Sequence, residues 1–188
     1  MFSKGELEDA GLGVPDDFND RSKEFWSYVE ERLKGLSGRI VKVYIESTHE
    51  GGAEGLNTIR VANAELHRIV SWLVDRGAEV TATEDRFLVL ETESWSDLAR
   101  QGVAGAEIEM LERSLKDREA FVAKRIDETL SEREMGVLFT SALQTSSLPS
   151  DIRVIRMMPF DPIDYLKTWM ITVRLQDKQG KDSSAQAI

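Results

Sequence analysis

Residues 46–52 concentrate side chains capable of chemistry, because they combine two carboxylates, an imidazole, two hydroxyls and two glycines. The segment closes a run of β-branched residues that is typical of a strand. A carboxylate and an imidazole together hold a hard or borderline metal ion, or act as a base–acid pair, so Glu46 and His49 are candidate catalytic residues. The alternative is that Glu46 is an ordinary polar strand end and that His49 is a solvated loop residue.

Glu91 joins these candidates if the sheet brings it beside Glu46, because two neighbouring carboxylates raise one pKa or chelate a divalent cation. Glutamates at strand ends are also expected in a chain this acidic. The chain has no cysteine and two histidines, and His67 lies within a predicted helix that offers it no second ligand at helical spacing. The sequence therefore predicts no bound cofactor, and a divalent cation held by Glu46, His49 and Glu91 is the alternative.

Two segments carry a resemblance to a known superfamily. Residues 117–126 read Asp-Arg-Glu-Ala-Phe-Val-Ala-Lys-Arg-Ile, and residues 136–144 read Gly-Val-Leu-Phe-Thr-Ser-Ala-Leu-Gln, with Leu148-Pro149 shortly after. They resemble the late part of the TraB/ChaN/erythromycin-esterase-like superfamily, in which an arginine-bearing helix leads into a strand that ends in a Gly-x-x-His type motif. The resemblance covers about a quarter of the chain and implies an α/β fold and metal-assisted hydrolysis.

The sequence departs from that pattern where the late histidine is expected, because Gln144 stands there, and no early Gly-x-x-His motif precedes the first predicted strand. Glutamine is not a titratable base and is a poor transition-metal ligand, so we expect a degenerate hydrolase-like scaffold. Arg118 and Arg125 are candidate anion-binding residues, since a planar guanidinium forms paired hydrogen bonds with anions. The alternative is that both pair with glutamates along the same helix.

Hydrophobic periodicity predicts the helices that would position these residues. Apolar residues at three- and four-residue spacing predict helices from Asn19 to Gly35, from Asn63 to Gly77 and over residues 104–130. A closing helix is predicted from residue 161 onward, although residues 169–175 also fit a strand.

Short runs rich in β-branched residues predict the strands. Residues 39–46, 136–140 and 152–157 each read as a strand, and residues 79–82 and 86–90 read as an antiparallel hairpin. Because crossover-length helices separate the strands, the predicted fold is a layered α/β fold with a mainly parallel sheet, one antiparallel hairpin and flanking helices. In such sheets, ligands bind beyond the carboxyl ends of the strands.

Length and charge limit the organisation and the class of partner. The chain has 188 residues and a net charge of −10, which fits one domain with a single core. We expect an acidic flexible lead-in over residues 1–18, a single α/β domain over residues 19–175 and a flexible tail over residues 176–188. The chain shows neither a secretory signal pattern nor an apolar run of roughly 20 residues, which predicts a cytoplasmic protein with no membrane partner.

These features favour a protein that acts by binding or assembly on the degenerate hydrolase-like scaffold. The alternative is a divalent-metal-dependent hydrolase that uses the carboxylate and histidine cluster at the strand ends. The acidic charge repels phosphate backbones, so we expect no nucleic-acid partner. The long apolar face predicted over residues 104–130 favours a homo-oligomer, with a homodimer expected.

Overall fold

The structure is a computed structural model, and it describes residues 4–9, 11–36, 38–46, 48–101, 105–140 and 148–172. The chain divides into two compact units. One unit takes Met1–Arg32 together with Arg156–Ile188, and the other consists of Leu33–Ile155.

A three-stranded parallel sheet organises the unit Leu33–Ile155. Its strands are β1 (Ile40–Ile45), β2 (Glu79–Thr81) and β3 (Met135–Phe139), arranged in the order β2-β1-β3. The predicted strands over residues 39–46, 79–82 and 136–140 are therefore confirmed, as is the α/β fold with a parallel sheet. Because all three strands run in the same direction, their carboxyl ends lie at one edge of the sheet.

The central strand is buried, and a glycine in β3 lies against one of its side chains. Val43 and Tyr44 of β1 are at most 1% exposed, and they pair with Val80 and Thr81 of β2. On the other side, the register is irregular between Ile40 and Lys42, where β1 pairs with Met135 and Gly136. A Cβ atom at Gly136 would lie 2.9 Å from the Tyr44 ring. Any larger residue at this position would therefore force the ring to move.

Two helices connect β1 to β2. They are α3 (Gly52–Ala62) and α4 (Ala64–Val74), and Asn63 between them caps α4 by accepting a 3.0 Å hydrogen bond from the backbone N–H of Leu66. The predicted helix start at Asn63 is thus confirmed. The sequence gives little signal for α3, because it begins with glycine and its buried residues are only Gly55 and Ile59.

The predicted antiparallel hairpin is wrong. Residues 86–90, interpreted as its second strand, are the first turns of α5 (Arg86–Arg100). Asp85 caps this helix, since its Oδ1 accepts hydrogen bonds of 2.8 Å from the Phe87 N–H and 3.2 Å from the Leu88 N–H. The cap satisfies backbone donors at the helix start and outweighs the strand propensity of the β-rich run.

The predicted long helix is confirmed as α6 (Ala106–Thr129), with residue 104 outside the described residues. Its carboxyl half covers the sheet, because Val122 and Ile126 are buried against Tyr44. Its first half packs on α5, where the buried hydroxyls of Thr92 and Ser114 are 2.8 Å apart. Thr92 donates to the carbonyl of Leu88, so it accepts the hydrogen bond from Ser114.

The strand predicted over residues 152–157 is also wrong. These residues form no strand, and the side chains of residues 153–156 are exposed, with Ile155 at 61%. Ile152 packs against the cluster of Tyr44, Val122 and Ile126, and it provides the local packing in place of a fourth strand. A β-branched run becomes a strand only when it pairs with another strand, and residues 152–157 pair with none of the three strands of this sheet.

The other unit is helical. It contains α1 (Lys4–Asp9), most of α2 (Phe18–Lys34) and α7 (residues 162–172). The predicted helix from Asn19 is confirmed as α2. The closing helix is confirmed as α7, where a strand over residues 169–172 is excluded and residues 173–175 lie outside the described residues.

Apolar side chains from these three helices form a small core. Leu7, Phe18 and Leu166 are 2%, 4% and 8% exposed, and Tyr165 packs against them. The segment expected to be a flexible lead-in, residues 1–18, thus contains a helix that buries a leucine. The expected tail over residues 176–188 lies outside the described residues. In the described part of the chain, no helix is both long enough and apolar enough to cross a membrane.

Candidate functional site

A pocket of about 60 Å³ lies at the carboxyl edge of the sheet, and each strand contributes to it. Glu46 follows β1, Thr83 and Glu84 follow β2, and Thr140 follows β3. We call this the edge pocket, and its lining residues are Glu46, Thr83, Glu84, Leu115, Arg118, Glu119, Val122, Leu138 and Thr140. This is the place at which open parallel sheets bind ligands.

Backbone hydrogen bonds hold the loop after β2 against the loop after β1. The N–H groups of Thr83 and Glu84 both donate to the carbonyl of Thr48, at 2.8 and 3.1 Å. The Thr83 hydroxyl, which is fully buried, accepts from the Ile45 N–H at 3.0 Å and donates to the Thr81 carbonyl at 3.0 Å. These bonds fix the position of Glu84 because its own N–H and that of its neighbour are both held.

Glu84 and Arg118 form a nearly buried ion pair in the pocket wall. Two hydrogen bonds join them, from Nε to Oε2 at 2.6 Å and from Nη2 to Oε1 at 2.7 Å. The side chains are 2% and 15% exposed, respectively. A bidentate pair of this kind is rigid, because the planar guanidinium matches both carboxylate oxygens at once.

Several carboxylates raise the pKa of the Arg118 guanidinium. Desolvation lowers the pKa of Arg118, whereas the hydrogen bonds and the charge of Glu84 raise it. The charges of Glu46 and Glu93 act in the same direction as Glu84, and the pKa of Arg118 is raised above its ordinary value. The guanidinium therefore lies in a field dominated by negative charge.

Glu46 and Thr140 form the opposite part of the wall. The Thr140 hydroxyl donates to Glu46 Oε2 at 3.2 Å, and the backbone N–H of Glu46 donates to the Phe139 carbonyl at 2.9 Å. These contacts hold the end of β1 against the end of β3. Glu46 is half-buried, and its carboxylate lies at the pocket while its backbone continues the sheet hydrogen bonding.

The remaining wall is apolar, apart from Glu119. Leu115 and Val122 come from α6, and Leu138 comes from β3. Carboxylates and hydroxyls thus lie beside apolar side chains within one small cavity. Such a cavity favours a ligand that has a charged group attached to an apolar group.

Among the described residues that line the edge pocket, carboxylates outnumber cations. The carboxylates are those of Glu46, Glu84 and Glu119, and the cation is Arg118, which pairs with Glu84. An anion entering the pocket would meet the carboxylates of Glu46 and Glu119, while a cation would be attracted by them. The pocket is therefore suited to a positively charged group.

Of the three residues that the sequence suggested as a catalytic cluster, one lines the edge pocket. Glu46 lines the edge pocket, His49 is exposed three residues later, and Glu91 is exposed on α5. Within the part of the chain that the structure describes, no three His, Cys, Asp or Glu side chains form a group that could hold a metal ion. Glu46 is thus the member of the trio that belongs to the pocket.

The two candidate anion-binding arginines have acceptors of their own. Arg118 is bonded to Glu84 across the fold, and not to a glutamate on its own helix. Arg125 donates from Nε to the Ala82 carbonyl at 3.4 Å, and its Nη1 lies 3.5 Å from Glu128. Arg125 therefore joins α6 to the loop after β2 and does not line the pocket.

Sequence reasoning missed Glu84 and Thr83 as site residues because it placed them in a hairpin turn. One signal was present. Arg118 occupies a position on the apolar face of α6, three residues after Leu115 and four before Val122, and a charge at such a position requires a buried partner. Gln144, the position that carried the superfamily resemblance, lies outside the described residues.

No family model, no curated protein and no solved structure matches this chain.

Proposed function

We propose that this protein is a binding protein that takes a small cationic group, of the primary ammonium type, in the edge pocket. The observation that carries the proposal is the composition of the pocket, whose described lining residues include three glutamates, one arginine bonded to Glu84 and three apolar side chains. The position at the carboxyl edge of a parallel sheet supports the same conclusion.

An ammonium group fits the donors and acceptors of this pocket. It has three N–H donors and no acceptor, and the pocket is lined by the acceptors Glu46, Thr140 and Glu119. A carboxylate has about four acceptor positions, so Glu46 accepts from a ligand in addition to Thr140. The hydrocarbon carried by the ammonium group would lie against Leu115 and Leu138.

The Glu84–Arg118 pair has a positioning role in this proposal. It neutralises the most deeply buried carboxylate and keeps α6 at a fixed distance from the end of β2. Without it, the pocket would lack its rigid wall, and the buried carboxylate of Glu84 would lose the guanidinium to which it is bonded. In this proposal the ligand is bound chiefly by Glu46 and Glu119, whose side chains are both half-buried.

Titration calorimetry with n-butylammonium tests this proposal, with n-butyrate as the ligand of equal length and opposite charge. Five heavy atoms bound at about −1 kcal/mol each correspond to a dissociation constant of about 0.1 to 1 mM. We expect n-butylammonium to bind and n-butyrate not to bind. Magnesium chloride is titrated in parallel, since a divalent cation would also be attracted to these carboxylates.

Two matched variants assign the signal to the pocket. Glu46→Gln keeps the side-chain shape and its acceptor for Thr140, and it should weaken n-butylammonium binding by about tenfold or more. Glu91→Gln removes the same charge from an exposed position outside the pocket and should leave the affinity unchanged. Equal binding of n-butyrate, or equal loss in both variants, would contradict the proposal.

A further inference from the structure

The first half of α6 carries a line of apolar side chains on its surface. Ile108, Leu111 and Leu115 recur at spacings of three and four residues, so they share one side of the helix, and we call them the open stripe. Ile108 is 49% exposed and Leu115 is 44% exposed, and Leu111 is half-buried. Farther along the same side, Val122 is buried in one cluster with Tyr44 of β1. The apolar side of α6 is thus covered in its second half and open in its first half.

The open stripe begins at the mouth of the edge pocket. Leu115 belongs to both, because it lines the pocket and is also the last residue of the stripe. Val122, about two turns farther along α6, lines the pocket as well but is only 7% exposed. The pocket is therefore closed toward Val122 and open toward Leu115. A ligand that is longer than the pocket leaves it over Leu115 and next meets Leu111 and Ile108.

The volume of the edge pocket limits how much of a ligand it takes. A cavity of about 60 Å³ accommodates about four to six heavy atoms, such as an ammonium nitrogen and about four carbons. From Leu115 to Ile108 the helix rises about 10 Å, which is the length of about eight carbon–carbon bonds in an extended chain. The pocket and the open stripe together thus fit an unbranched chain of about twelve carbons.

The flank of the open stripe does not select a charged occupant. Glu112, Lys116 and Glu119 follow one another along it, so acidic and basic side chains alternate. An extended peptide would place backbone N–H and C=O groups against apolar side chains, which costs free energy unless those groups are hydrogen-bonded. An unbranched hydrocarbon chain carries neither charge nor hydrogen-bonding groups. It therefore suits a stripe that is one side chain wide.

We infer that the ligand of the edge pocket is a free, unbranched alkylamine of about eight to twelve carbons, with its ammonium group in the pocket and its hydrocarbon chain along the open stripe. The inference rests on the proposed function, because the ammonium group binds where that of n-butylammonium binds. The carbons beyond about the fourth cover the exposed surfaces of Leu115, Leu111 and Ile108. Each additional methylene group therefore removes apolar area from water.

The area of the open stripe argues against a second copy of the chain as its occupant. Three partly exposed side chains on one helix offer far less than the roughly 800 Å² per partner that a stable interface buries. Each copy also has a net charge of −10, which opposes association. A single alkyl chain needs only the stripe itself.

Titration calorimetry with n-butylammonium, n-octylammonium and n-dodecylammonium tests the inference, with each amine kept below the concentration at which it forms micelles. A methylene group that is covered on one side strengthens binding by about twofold, which is half the free energy of full burial. We expect n-octylammonium to bind at least about tenfold more tightly than n-butylammonium, and n-dodecylammonium at least about tenfold more tightly again. n-Octanoate, which has the same number of carbons as n-octylammonium and the opposite charge, should bind at least about tenfold more weakly than that amine.

Variants of exposed apolar residues locate the hydrocarbon chain. Ile108→Ser changes the far end of the open stripe and should weaken n-dodecylammonium binding by about fivefold. The same variant should leave the affinities for n-butylammonium and n-octylammonium unchanged, because a chain of about eight carbons ends near Leu111. Val61→Ser on α3 removes a side chain that is 85% exposed and should leave the affinities for all three amines unchanged.

Each contrary result has a definite meaning. Equal effects of Ile108→Ser and Val61→Ser on n-dodecylammonium, or n-octanoate binding as tight as that of n-octylammonium, would overturn the inference. Sedimentation that shows a dimer at micromolar concentration, dissociated by Ile108→Ser, would assign the stripe to a second copy and overturn it as well. If n-butylammonium binds and the longer amines bind no more tightly, the inference fails while the proposed function stands; if none of the three amines binds, both fail.

Discussion

Arg118 and Glu84 illustrate how one residue pair can determine a site. Replacing Arg118 with methionine keeps an unbranched apolar side chain on the face of α6 but leaves the Glu84 carboxylate, 2% exposed, without its two hydrogen bonds. Removing one partner of a buried pair costs about 3 to 5 kcal/mol, so we expect Arg118→Met to lower the free energy of unfolding by about that amount in urea denaturation.

A double variant separates the loss of the pair from the loss of packing. Combining Arg118→Met with Glu84→Gln removes the uncompensated charge and should recover more than half of the lost stability. A cost below about 1 kcal/mol for Arg118→Met alone would show that the pair behaves as a surface salt bridge and would contradict its positioning role.

Asp17 and Tyr165 predict a pH dependence in the helical unit. The Tyr165 hydroxyl donates to Asp17 Oδ1 at 2.6 Å. This hydrogen bond is the largest of the influences that lower the pKa of Asp17 below its ordinary value, with smaller contributions from Arg21. A carboxyl with a lowered folded-state pKa adds stability above its unfolded-state pKa of about 3.9, and that stability is lost as the pH falls through the folded-state value.

Tyr165→Phe should therefore destabilise the protein at neutral pH, by at most about 1 kcal/mol because Asp17 is mostly in solvent. The difference between the two proteins should shrink as the pH falls from about 4 toward 2, where Asp17 becomes protonated in both. Thermal unfolding of both proteins, followed by circular dichroism at several pH values between about 2 and 7, measures this difference. A difference that stays constant down to the lowest pH would show that the hydroxyl acts without the carboxylate.

At the scale of elements, the α1 helix provides a direct test of docking. Leu7 is 2% exposed and packs with Phe18 and Leu166. Truncation of a buried leucine costs about 2 to 5 kcal/mol, so Leu7→Ala should lower the free energy of unfolding by about 2 kcal/mol or more. Ile171→Ala on α7, where the side chain is 60% exposed, is the control and should change stability by less than about 0.5 kcal/mol.

Chemical denaturation of both variants, followed by tryptophan fluorescence, measures these differences. If Leu7→Ala were as mild as Ile171→Ala, the helix would be attached only loosely, and the sequence-based expectation of a lead-in over residues 1–18 would stand. The large cost is expected because truncation of a buried leucine leaves a cavity among the side chains that pack around it.

Elements with strong periodicity could be predicted from the sequence, whereas α5 could not. The helices α2, α4 and α6 follow from apolar residues at helical spacing, and β1 and β3 follow from β-branched runs. Residues 86–90 were misinterpreted because Phe87 and Val89 favour strands, while the helix there begins with two hydrogen bonds to Asp85. Glu46 could be placed in the site because it ends a strand. Glu84 could be placed there only if residues 86–90 had been predicted as a helix and not as a second hairpin strand.

At the scale of the whole molecule, the net charge of −10 makes cation binding sensitive to salt. The Debye length falls from about 14 Å at 0.05 M ionic strength to about 4 Å at 0.5 M, which screens charges beyond the pocket wall. We expect the affinity for n-butylammonium to fall by about three- to tenfold over this range, measured by calorimetry in sodium chloride. An affinity that is independent of salt would indicate binding by the apolar wall alone.

The central claim is that the cation binds in the edge pocket itself. Backbone amide chemical shifts, measured by nuclear magnetic resonance as the ligand is added, test this claim most directly. In a titration of isotopically labelled protein with n-butylammonium, we expect saturable shifts at Glu46, Thr83, Glu84, Leu115 and Thr140, which line the pocket, and little change at Val61 and Glu91. The same titration with n-butyrate should leave these signals in place. Shifts spread over the whole acidic surface, or equal shifts with n-butyrate, would contradict the account.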